Sequence, residues 1–321
     1  MPPVRLSLAR RIGYSLFLTV SLLIAGEGIT RAFVYNVGQA SIPDGTVQQH
    51  VRTGVMRYDP DYFWVWDKLP QPEMNIDQNA FRWKEPVKKE KEPGVFRAFS
   101  LGDSQTYGAG LRWDRTYSAV AEARLNEGRA RVEVVNAGIS GYGSLQALRL
   151  IELKLPDWTP DLVIVDCPTH DQPTETMGPR TRGVQGKIEA VLFESRLYYM
   201  MRFTYDRLNG RTAHMRRDRG QFDKENTGNH ALILERATHM GIQVVFLDYP
   251  FWDERYDSLA HLAPLKELPE GAVYVDSLAA LKASGKPNKQ LFLDNNHLSE
   301  TGARIVGEAL AERVAPLVQP Q

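Results

Sequence analysis

The sequence is poor in cysteine and carries no excess of charge of either sign. Cys167 is the single cysteine among 321 residues, so a fold stapled by internal disulfides is excluded. Lysine and arginine number 39 and so do aspartate and glutamate, so the composition gives no case for nucleic acid as a partner. No internal repeat is visible. The hydrophobic content of 43% and the charged content of 24% are those of an ordinary globular protein.

Long apolar runs are also scarce, and the longest one follows three arginines near the N-terminus. Residues 12–25 alone are short for a membrane span, which needs about 20 residues. The run continues further if Glu27 and Arg31 are included, and these two are four residues apart, so they could pair on one helix face. The sequence therefore predicts a transmembrane helix over residues 12–34.

A cleaved signal peptide would begin in the same way, with basic residues and an apolar middle. No small-x-small cleavage site directly follows Ala25, so we favour an uncleaved signal anchor. Because basic residues precede the span, residues 1–11 are expected to form a cytoplasmic tail and the rest of the chain to lie outside the cytoplasm.

Residues 35–95 have weak periodicity and hold many aromatic side chains among several prolines. The aromatic residues are Tyr58, Tyr62, Phe63, Trp64, Trp66, Phe81 and Trp83. So much aromatic surface is unfavourable in water, so we expect this juxtamembrane segment to pack on the following domain rather than to form a separate binding module. A charged, proline-bounded linker at 84–93 ends the segment, and we place the main domain at residues 96–318.

In that domain short apolar stretches alternate with helical patterns. Strands are predicted at 96–101, 132–136, 161–167, 243–249 and 272–276, and helices at 116–126, 144–153, 185–208, 224–240 and 300–314. Ser144 and Ser299 are expected to cap their helices. The alternation predicts a three-layer α/β/α sandwich around a central, mostly parallel five-stranded sheet.

The first predicted strand is followed at once by the polar turn Gly102-Asp-Ser104. A serine at the carboxyl end of a first strand lies where open α/β sheets bind their ligands. Glycine, aspartate and serine are also the commonest turn residues, so a plain strand-end turn is the alternative. This stretch alone leaves both interpretations open.

A serine nucleophile needs a base, and the base needs an orienting carboxylate. Of the seven histidines, His239 and His261 fall in predicted helices and are interpreted as surface or core residues. His297 lies instead in a loop before a helix, three residues after Asp294. That spacing lets the carboxylate accept from one ring nitrogen while the other faces the serine. An Asx-turn at Asp294 beside a solvated His297 is the simpler alternative.

A rival nucleophile, Ser140, lies in the glycine-rich stretch that begins at Asn136. It lacks the Gly-x-Ser-x-Gly elbow, because Tyr142 occupies the last position. The glycines of this stretch suit another role, which is to let a backbone N–H approach a substrate closely.

Taken together, these stretches resemble the SGNH/GDSL hydrolase family. Three blocks carry the resemblance in the family's order: Gly102-Asp-Ser104, Asn136-Ala-Gly-Ile-Ser-Gly141 and Asp294-x-x-His297. The N-terminal span and the upstream stretch Asn79-Ala-Phe-Arg82 also resemble the membrane-anchored bacterial branch. The resemblance covers about residues 96–316, and it implies the SGNH/flavodoxin-like sheet order, no metal and no organic cofactor.

The resemblance also implies roles for individual residues. Ser104 corresponds to the nucleophile, His297 to the base and Asp294 to its orienting carboxylate. The N–H groups of Ser104 and Gly141 correspond to donors of the oxyanion hole. The family's third block ends Gly-x-Asn-Asp, and here His170 stands in the asparagine position, where a neutral ring could donate one N–H.

The implied activity is that of an extracytoplasmic serine esterase or deacylase. Its expected substrates are acyl esters, chiefly acetyl esters, of small molecules or of envelope or exported polysaccharide. The expected location is the bacterial inner (cytoplasmic) membrane, single-pass through residues 12–34, with a periplasmic catalytic domain. The alternatives are an O-acetyltransferase that uses the same triad, and a non-catalytic envelope scaffold whose site has decayed at His170.

Overall fold

The computed structural model describes residues 7–30, 56–59, 62–66, 68–128, 130–166, 219–261, 269 and 271–318, together with single positions between 188 and 205. The chain divides into two compact units. The first unit comprises Met1–Trp64 and Glu175–Ala213, and the second comprises Val65–Thr174 and His214–Gln321.

In the described part of the first unit, the long helix is α1 (Leu8–Ile29), of 22 residues. None of its residues is buried, and its mean hydropathy of 1.6 makes it apolar enough to cross a membrane or to serve as a signal sequence. The helix begins before the predicted residue 12, because leucine, alanine and the arginines ahead of the apolar run are good helix formers. The predicted extension to residue 34 lies beyond the described residues.

A second helical stretch of the first unit is described at single positions. Ile188 and Leu192 are helical, as are Leu197, Tyr198, Met201 and Tyr205. Ser195 is not helical, and its hydroxyl oxygen accepts a hydrogen bond from the backbone N–H of Tyr198 at 3.1 Å. The sequence predicts one continuous helix over 185–208, whereas the described positions show an interruption at Ser195, where the side chain caps a new helical turn.

The strands among the described residues are β1 (Met56–Asp59), β2 (Phe63–Trp66), β3 (Val95–Gly102), β4 (Arg131–Asn136), β5 (Leu162–Asp166), β6 (Gln243–Leu247), β7 (Pro250–Asp253), β8 (Ser258–His261) and β9 (Val273–Val275). Five of them form one sheet in the order β4-β3-β5-β6-β9. Every neighbouring pair in this sheet is parallel. The predicted five-stranded sheet is confirmed.

The α-helices described in the second unit are α2 (Ser104–Tyr107), α3 (Tyr117–Leu125), α4 (Ser144–Arg149), α5 (Arg219–His239), α6 (Ser277–Ala283), α7 (Asn288–Leu291) and α8 (Glu300–Val314). The last helix has the predicted bounds, and the hydroxyl of Ser299 accepts from the N–H of Gly302 at 3.2 Å, which caps it. α8 packs against α3 and α6.

Alternate residues of the sheet face two separate helical layers, because successive side chains of a strand point to opposite faces. Ala98 and Ile164 belong to a core cluster shared with side chains from α3, α6 and α8. On the opposite face, the ring of Phe246 lies 4.9 Å from the ring of His230 on α5. The second unit is therefore a three-layer α/β/α sandwich, as predicted.

Two further local predictions are wrong. Ser144 is the first residue of α4 rather than its cap, because the side chain of Gln146 accepts from the N–H of Gly143 and moves the helix start one residue earlier. His261 is not helical: it ends β8, which pairs antiparallel with β7 in a hairpin. Asp257, with a φ of 45°, turns this hairpin, and such a turn overrides the helical propensity of its neighbours.

Part of the aromatic segment before the sheet is buried in the second unit. The ring of Phe81 lies 5.1 Å from that of Phe99 and 5.2 Å from that of Trp158. The backbone N–H of Arg82 donates to the backbone carbonyl of Asn136 at 2.8 Å. This segment therefore adds an isolated bridge beside the edge strand β4. The compact second unit thus includes residues from Val65 onward.

Candidate active site

Polar side chains gather where the parallel strands end. β3 ends at Gly102, β4 at Asn136 and β5 at Asp166, and carboxyl ends of parallel strands share one edge of the sheet. A Cβ at Gly102 would lie 2.0 Å from the hydroxyl oxygen of Thr106 and 2.2 Å from the carbonyl oxygen of Asp166. Only glycine fits there, and its absence of a side chain lets α2 fold directly back over the strand end.

The short helix α2 places Ser104 at its first position. The carboxylate of Asp103 accepts from the N–H of Gln105 at 2.7 Å and so caps the helix. Asp103, Gln105 and Thr106 are buried, whereas Ser104 is partly exposed. The turn chemistry noted in the sequence therefore does orient the residues, and it presents one hydroxyl to solvent at the edge of the sheet.

The loop before α8 holds His297 and is closed by its own backbone. The N–H of Leu293 donates to the carbonyl of His297 at 2.7 Å, and the N–H of Ser299 donates to the carbonyl of Leu291 at 2.9 Å. One carboxylate oxygen of Asp294 accepts from the N–H groups of Asn296 at 3.0 Å and His297 at 2.8 Å. The Asx-turn considered as an alternative is thus present, and it fixes the loop.

The same Asp294 also orients the ring of His297. Its second oxygen lies 2.7 Å from Nδ1, and Nε2 of the ring lies 2.8 Å from Oγ of Ser104. The structure therefore brings Ser104, His297 and Asp294 into one hydrogen-bonded chain. Partial burial by itself would raise the pKa of Asp294, but the hydrogen bonds from His297 and from the backbone outweigh it and lower that pKa below its usual value.

Two hydrogen bonds that the sequence analysis missed hold the His297 loop in place. The side-chain amide of Gln105 donates to the carbonyl of Asn296 at 2.5 Å. The backbone N–H of Trp252 in β7 donates to the backbone carbonyl of Asn295 at 2.7 Å. Neither contact has a local signal in the sequence, because the partners are far apart in the chain.

Arg82 anchors the other end of α2. Its buried guanidinium donates to the carbonyl oxygens of Tyr107 at 2.5 Å, Gly108 at 3.1 Å and Leu111 at 2.6 Å. A guanidinium suits this position because it offers several donors in a rigid fork and stays charged. Arg82 belongs to the upstream stretch that the sequence analysis singled out, although its contact with α2 could not be read from that stretch.

A buried carboxyl group, Asp166, lies behind α2. One of its oxygens accepts from the hydroxyl of Thr106 at 3.1 Å and from that of Tyr117 at 3.3 Å. Burial, reinforced by the nearby charge of Asp103, raises the pKa of Asp166 well above its usual value.

The glycine-rich loop after β4 lies beside α2. The side-chain amide of Asn136 donates to the carbonyl of Thr106 at 2.6 Å, while its oxygen accepts from the N–H of Gly138 at 2.9 Å. Gly141 has a φ of 80°, a left-handed conformation that favours glycine. The ring of His297 bonds Ser104 and not the rival Ser140. His170 lies outside the described residues.

One group of possible metal ligands occurs among the residues that the structure describes. Asp248, His261 and Asp276 place ligand atoms within 4.8 Å of one another. The carboxylate of Asp248 already accepts from the N–H groups of Ser277 at 2.6 Å and Leu278 at 3.0 Å. These bonds connect the residue that follows β6 to the start of α6.

Comparison with protein-family models matches residues 100–305 of the 321 to the GDSL-like lipase/acylhydrolase family. The match runs from the end of β3 into α8 and so includes Ser104, Asp294 and His297. Comparison with curated proteins gives no match.

Solved structures give the following similarities. A member of the lipolytic protein G-D-S-L family from Veillonella parvula is 15% identical, with 68% of this chain and 97% of that chain covered and a TM-score of 0.44. An alpha/beta hydrolase enzyme from the metagenome of Lake Arreo, Spain, is 16% identical, with 70% and 96% covered and a TM-score of 0.47. An acetylxylan esterase from Geobacillus stearothermophilus is 16% identical, with 68% and 94% covered and a TM-score of 0.45.

Proposed function

This chain belongs to the GDSL-like lipase/acylhydrolase family and is a serine ester hydrolase, and from that premise we propose that it removes acyl groups, chiefly acetyl, from carbohydrate outside the cytoplasm. The observation that carries the proposal is the chain of hydrogen bonds from Oγ of Ser104 through the ring of His297 to Asp294. In a non-catalytic scaffold whose site has decayed, we would not expect a partly exposed serine hydroxyl 2.8 Å from an oriented imidazole ring.

In the first half of the proposed reaction, Oγ of Ser104 attacks the carbonyl carbon of the ester. Nε2 of His297 takes the hydroxyl proton as the new C–O bond forms. Asp294 holds the proton on Nδ1, so that Nε2 is free to accept, and it stabilises the imidazolium that results. The tetrahedral intermediate collapses when His297 returns the proton to the leaving alcohol, and this leaves an acyl group on Ser104.

In the second half, water replaces the alcohol. His297 takes a proton from the water as its oxygen attacks the acyl carbon, and it then protonates Oγ of Ser104 as the acid leaves. We assign the stabilisation of the oxyanion to the N–H groups of Ser104 and Gly141 and to the ring of His170. Gly141 suits this part because glycine has no side chain to obstruct a substrate, and its left-handed φ of 80° is a conformation that favours glycine.

We further propose that α1 remains attached and anchors the protein in the bacterial inner membrane, with the hydrolase in the periplasm. The arginines that precede the apolar run support this orientation. The contact of Glu27 with Ser195 in the first unit supports retention of the helix, because a cleaved signal peptide has no lasting partner in the mature chain. Membrane fractionation with intact-mass analysis tests this, and a soluble product that starts beyond Ala25 would overturn it.

A fluorophosphonate probe tests the proposed activity, since it labels only a serine whose nucleophilicity is raised by its surroundings. We expect the full-length protein to be labelled at Ser104, and the Ser104→Ala and His297→Ala variants to remain unlabelled. Release of acetate from p-nitrophenyl acetate and from acetylated oligosaccharides then defines the substrate. Turnover that requires a sugar acceptor in place of water would identify the O-acetyltransferase instead, and a folded parent that is neither labelled nor active would support the scaffold.

A further inference from the structure

Near its C-terminal end, α1 contacts the stretch around Ser195 through the side chain of Glu27. One carboxylate oxygen of Glu27 accepts from the hydroxyl of Ser195 at 2.7 Å and from the N–H of Leu197 at 2.9 Å. A carboxylate near hydrocarbon is costly unless its hydrogen bonds are satisfied. These two donors come from the capped helical turn at Ser195, so the protein supplies hydrogen bonds that the hydrocarbon of the bilayer cannot.

The same end of α1 is in close packing contact with this turn. A Cβ at Gly26 would lie 2.9 Å from a methyl group of Leu197, so the glycine admits the leucine side chain against the helix. Thr30, one turn further on, is buried. The contact thus combines a satisfied charge with a small-residue packing site, a combination typical of contacts between helices in membranes.

The position of this contact along α1 can be estimated from the length of the helix. Its 22 residues, at a rise of about 1.5 Å each, span about 33 Å, close to the roughly 30 Å hydrocarbon core of a bilayer. Glu27 is two residues from the end at Ile29, so a spanning α1 places it within about one turn of the outer lipid–water interface. The stretch that binds Glu27 is therefore brought to that interface.

Large apolar side chains are exposed on both sides of the Ser195 turn. The exposed fractions are 55% for Ile188 and 41% for Leu192, which are four residues apart, and 58% for Met201 and 51% for Tyr205, which are also four apart. All four of these positions are helical, and helical residues four apart lie on one face, so each pair is spaced to present its apolar side chains together.

We propose that the stretch marked by Ile188, Leu192, Met201 and Tyr205, the membrane-contact segment, binds lipid in the outer interface beside the end of α1. The partner is the lipid bilayer itself, with the four exposed apolar side chains inserted below the headgroups. This inference rests on the proposed anchoring by α1. The sequence here is also basic, with arginine at 196, 202 and 207, a composition that suits anionic headgroups, and Tyr205 has the amphipathic ring that favours the interface.

Fluorescence quenching in the full-length protein tests the proposal. The protein is placed in nanodiscs of phosphatidylethanolamine and phosphatidylglycerol, in a Cys167→Ser background, with one cysteine at a time labelled by an environment-sensitive dye. The test positions are Ile188→Cys and Met201→Cys. Leu16→Cys in α1 is the membrane control, and Leu153→Cys, 53% exposed in the second unit, is the matched control for an exposed apolar position.

We expect spin-labelled lipids to quench the dye at 188 and 201 at least threefold more than at 153, and aqueous iodide to show the opposite order. Dyes at 188 and 201 that respond to iodide as strongly as the one at 153 would overturn the proposal. Dyes shielded from both quenchers would also overturn it, because a protein partner would then cover the segment. Failure of lipid quenching at position 16 would refute the anchor, and ester hydrolysis measured in the same nanodiscs reports separately on the enzyme.

A pair of variants at Glu27 tests what holds the segment at the interface. Glu27→Gln keeps an oxygen that can accept from Ser195 and Leu197, whereas Glu27→Ala removes it. We expect lipid quenching at position 201 to fall at least twofold in Glu27→Ala and to persist in Glu27→Gln. Equal quenching in the parent and both variants would overturn the assignment of Glu27 as the residue that seats the segment on α1.

Discussion

The side-chain amide of Gln105 donates a hydrogen bond of 2.5 Å to the backbone carbonyl of Asn296. Gln105 directly follows the candidate nucleophile Ser104, and Asn296 directly precedes the candidate base His297. This partly buried bond therefore connects the two elements whose separation sets the distance between Oγ and Nε2. It makes Gln105 a positioning residue, since it acts on the reaction through its neighbours.

Gln105→Ala is expected to lower kcat by about 10- to 100-fold, because small displacements of catalytic groups have effects of that size. KM should change little, since the side chain of Gln105 is buried. Loss of one buried hydrogen bond should lower the free energy of unfolding by only about 1 kcal/mol. Steady-state kinetics of this variant beside Gln290→Ala, an exposed glutamine in α7, would check it. A parental kcat in a folded Gln105→Ala protein would show that the bond positions nothing.

Variants of the hydrogen-bonded chain should differ in severity. Ser104→Ala and His297→Ala are expected to lose activity to a similar extent, because either loss disables the nucleophile. Asp294→Asn should lose less, about 10⁴-fold, since its oxygen can preserve the turn while its amide favours the wrong ring tautomer. Single-turnover rates with p-nitrophenyl acetate are the measurement, with circular dichroism as the folding control. His297→Ala with the parental rate would remove His297 from the mechanism.

His170 should affect turnover and its pH dependence if it occupies the asparagine position of the family. His170→Ala is expected to lower kcat by about 10² to 10³, the usual effect of removing an oxyanion donor. His170→Asn should recover much of the rate. Because histidine titrates near neutrality and asparagine does not, the two active proteins should differ in their kcat–pH profiles. Superimposable profiles of the parent, Ala and Asn proteins would show that His170 takes no part.

Asp166 should make the protein less stable as the pH rises. Its pKa is raised in the folded state, so its contribution is fully present below the unfolded pKa of about 3.8 and is lost as the pH rises toward the folded value. Asp166→Asn imitates the protonated group and should flatten that decline. Urea unfolding between pH 4 and pH 8 (a range set by the ordinary carboxyl pKa of about 4) would measure it. An unchanged slope in Asp166→Asn would mean that another group is responsible.

His230 should act in the opposite direction. Burial against the sheet lowers its pKa to about 4, so the neutral ring is favoured in the folded protein. Its contribution is present above the unfolded pKa of about 6.5 and is lost as the pH falls through the folded value, by up to about 3 kcal/mol. His230→Leu should be less sensitive to acid over that window, with the exposed His239→Leu as the matched control. Equal acid sensitivity of the parent and His230→Leu would contradict the assignment.

Several features could be predicted because they depend on residues close together in the chain. The strand–helix alternation indicated the parallel sheet, and the bounds of α8 followed from its cap and apolar spacing. The Asp294 turn follows from a spacing of three residues. The helical prediction for His261 was wrong because it relied on local propensity. The turn at Asp257 and the pairing with β7 make His261 a strand residue.

The sequence by itself determined which groups could perform the chemistry: a serine after a buried strand, and an aspartate and a histidine in one loop. Only the tertiary structure decided that the ring of His297 meets Ser104, 193 residues earlier, rather than Ser140. It also decided that Gln105 and Arg82 hold α2 and that Asp166 is buried behind it. The physical reason is that local spacing sets only short-range geometry. Which residues meet when they are far apart in the chain depends on the strand order β4-β3-β5-β6-β9. The pKa of a carboxyl group depends on all the groups that pack around it.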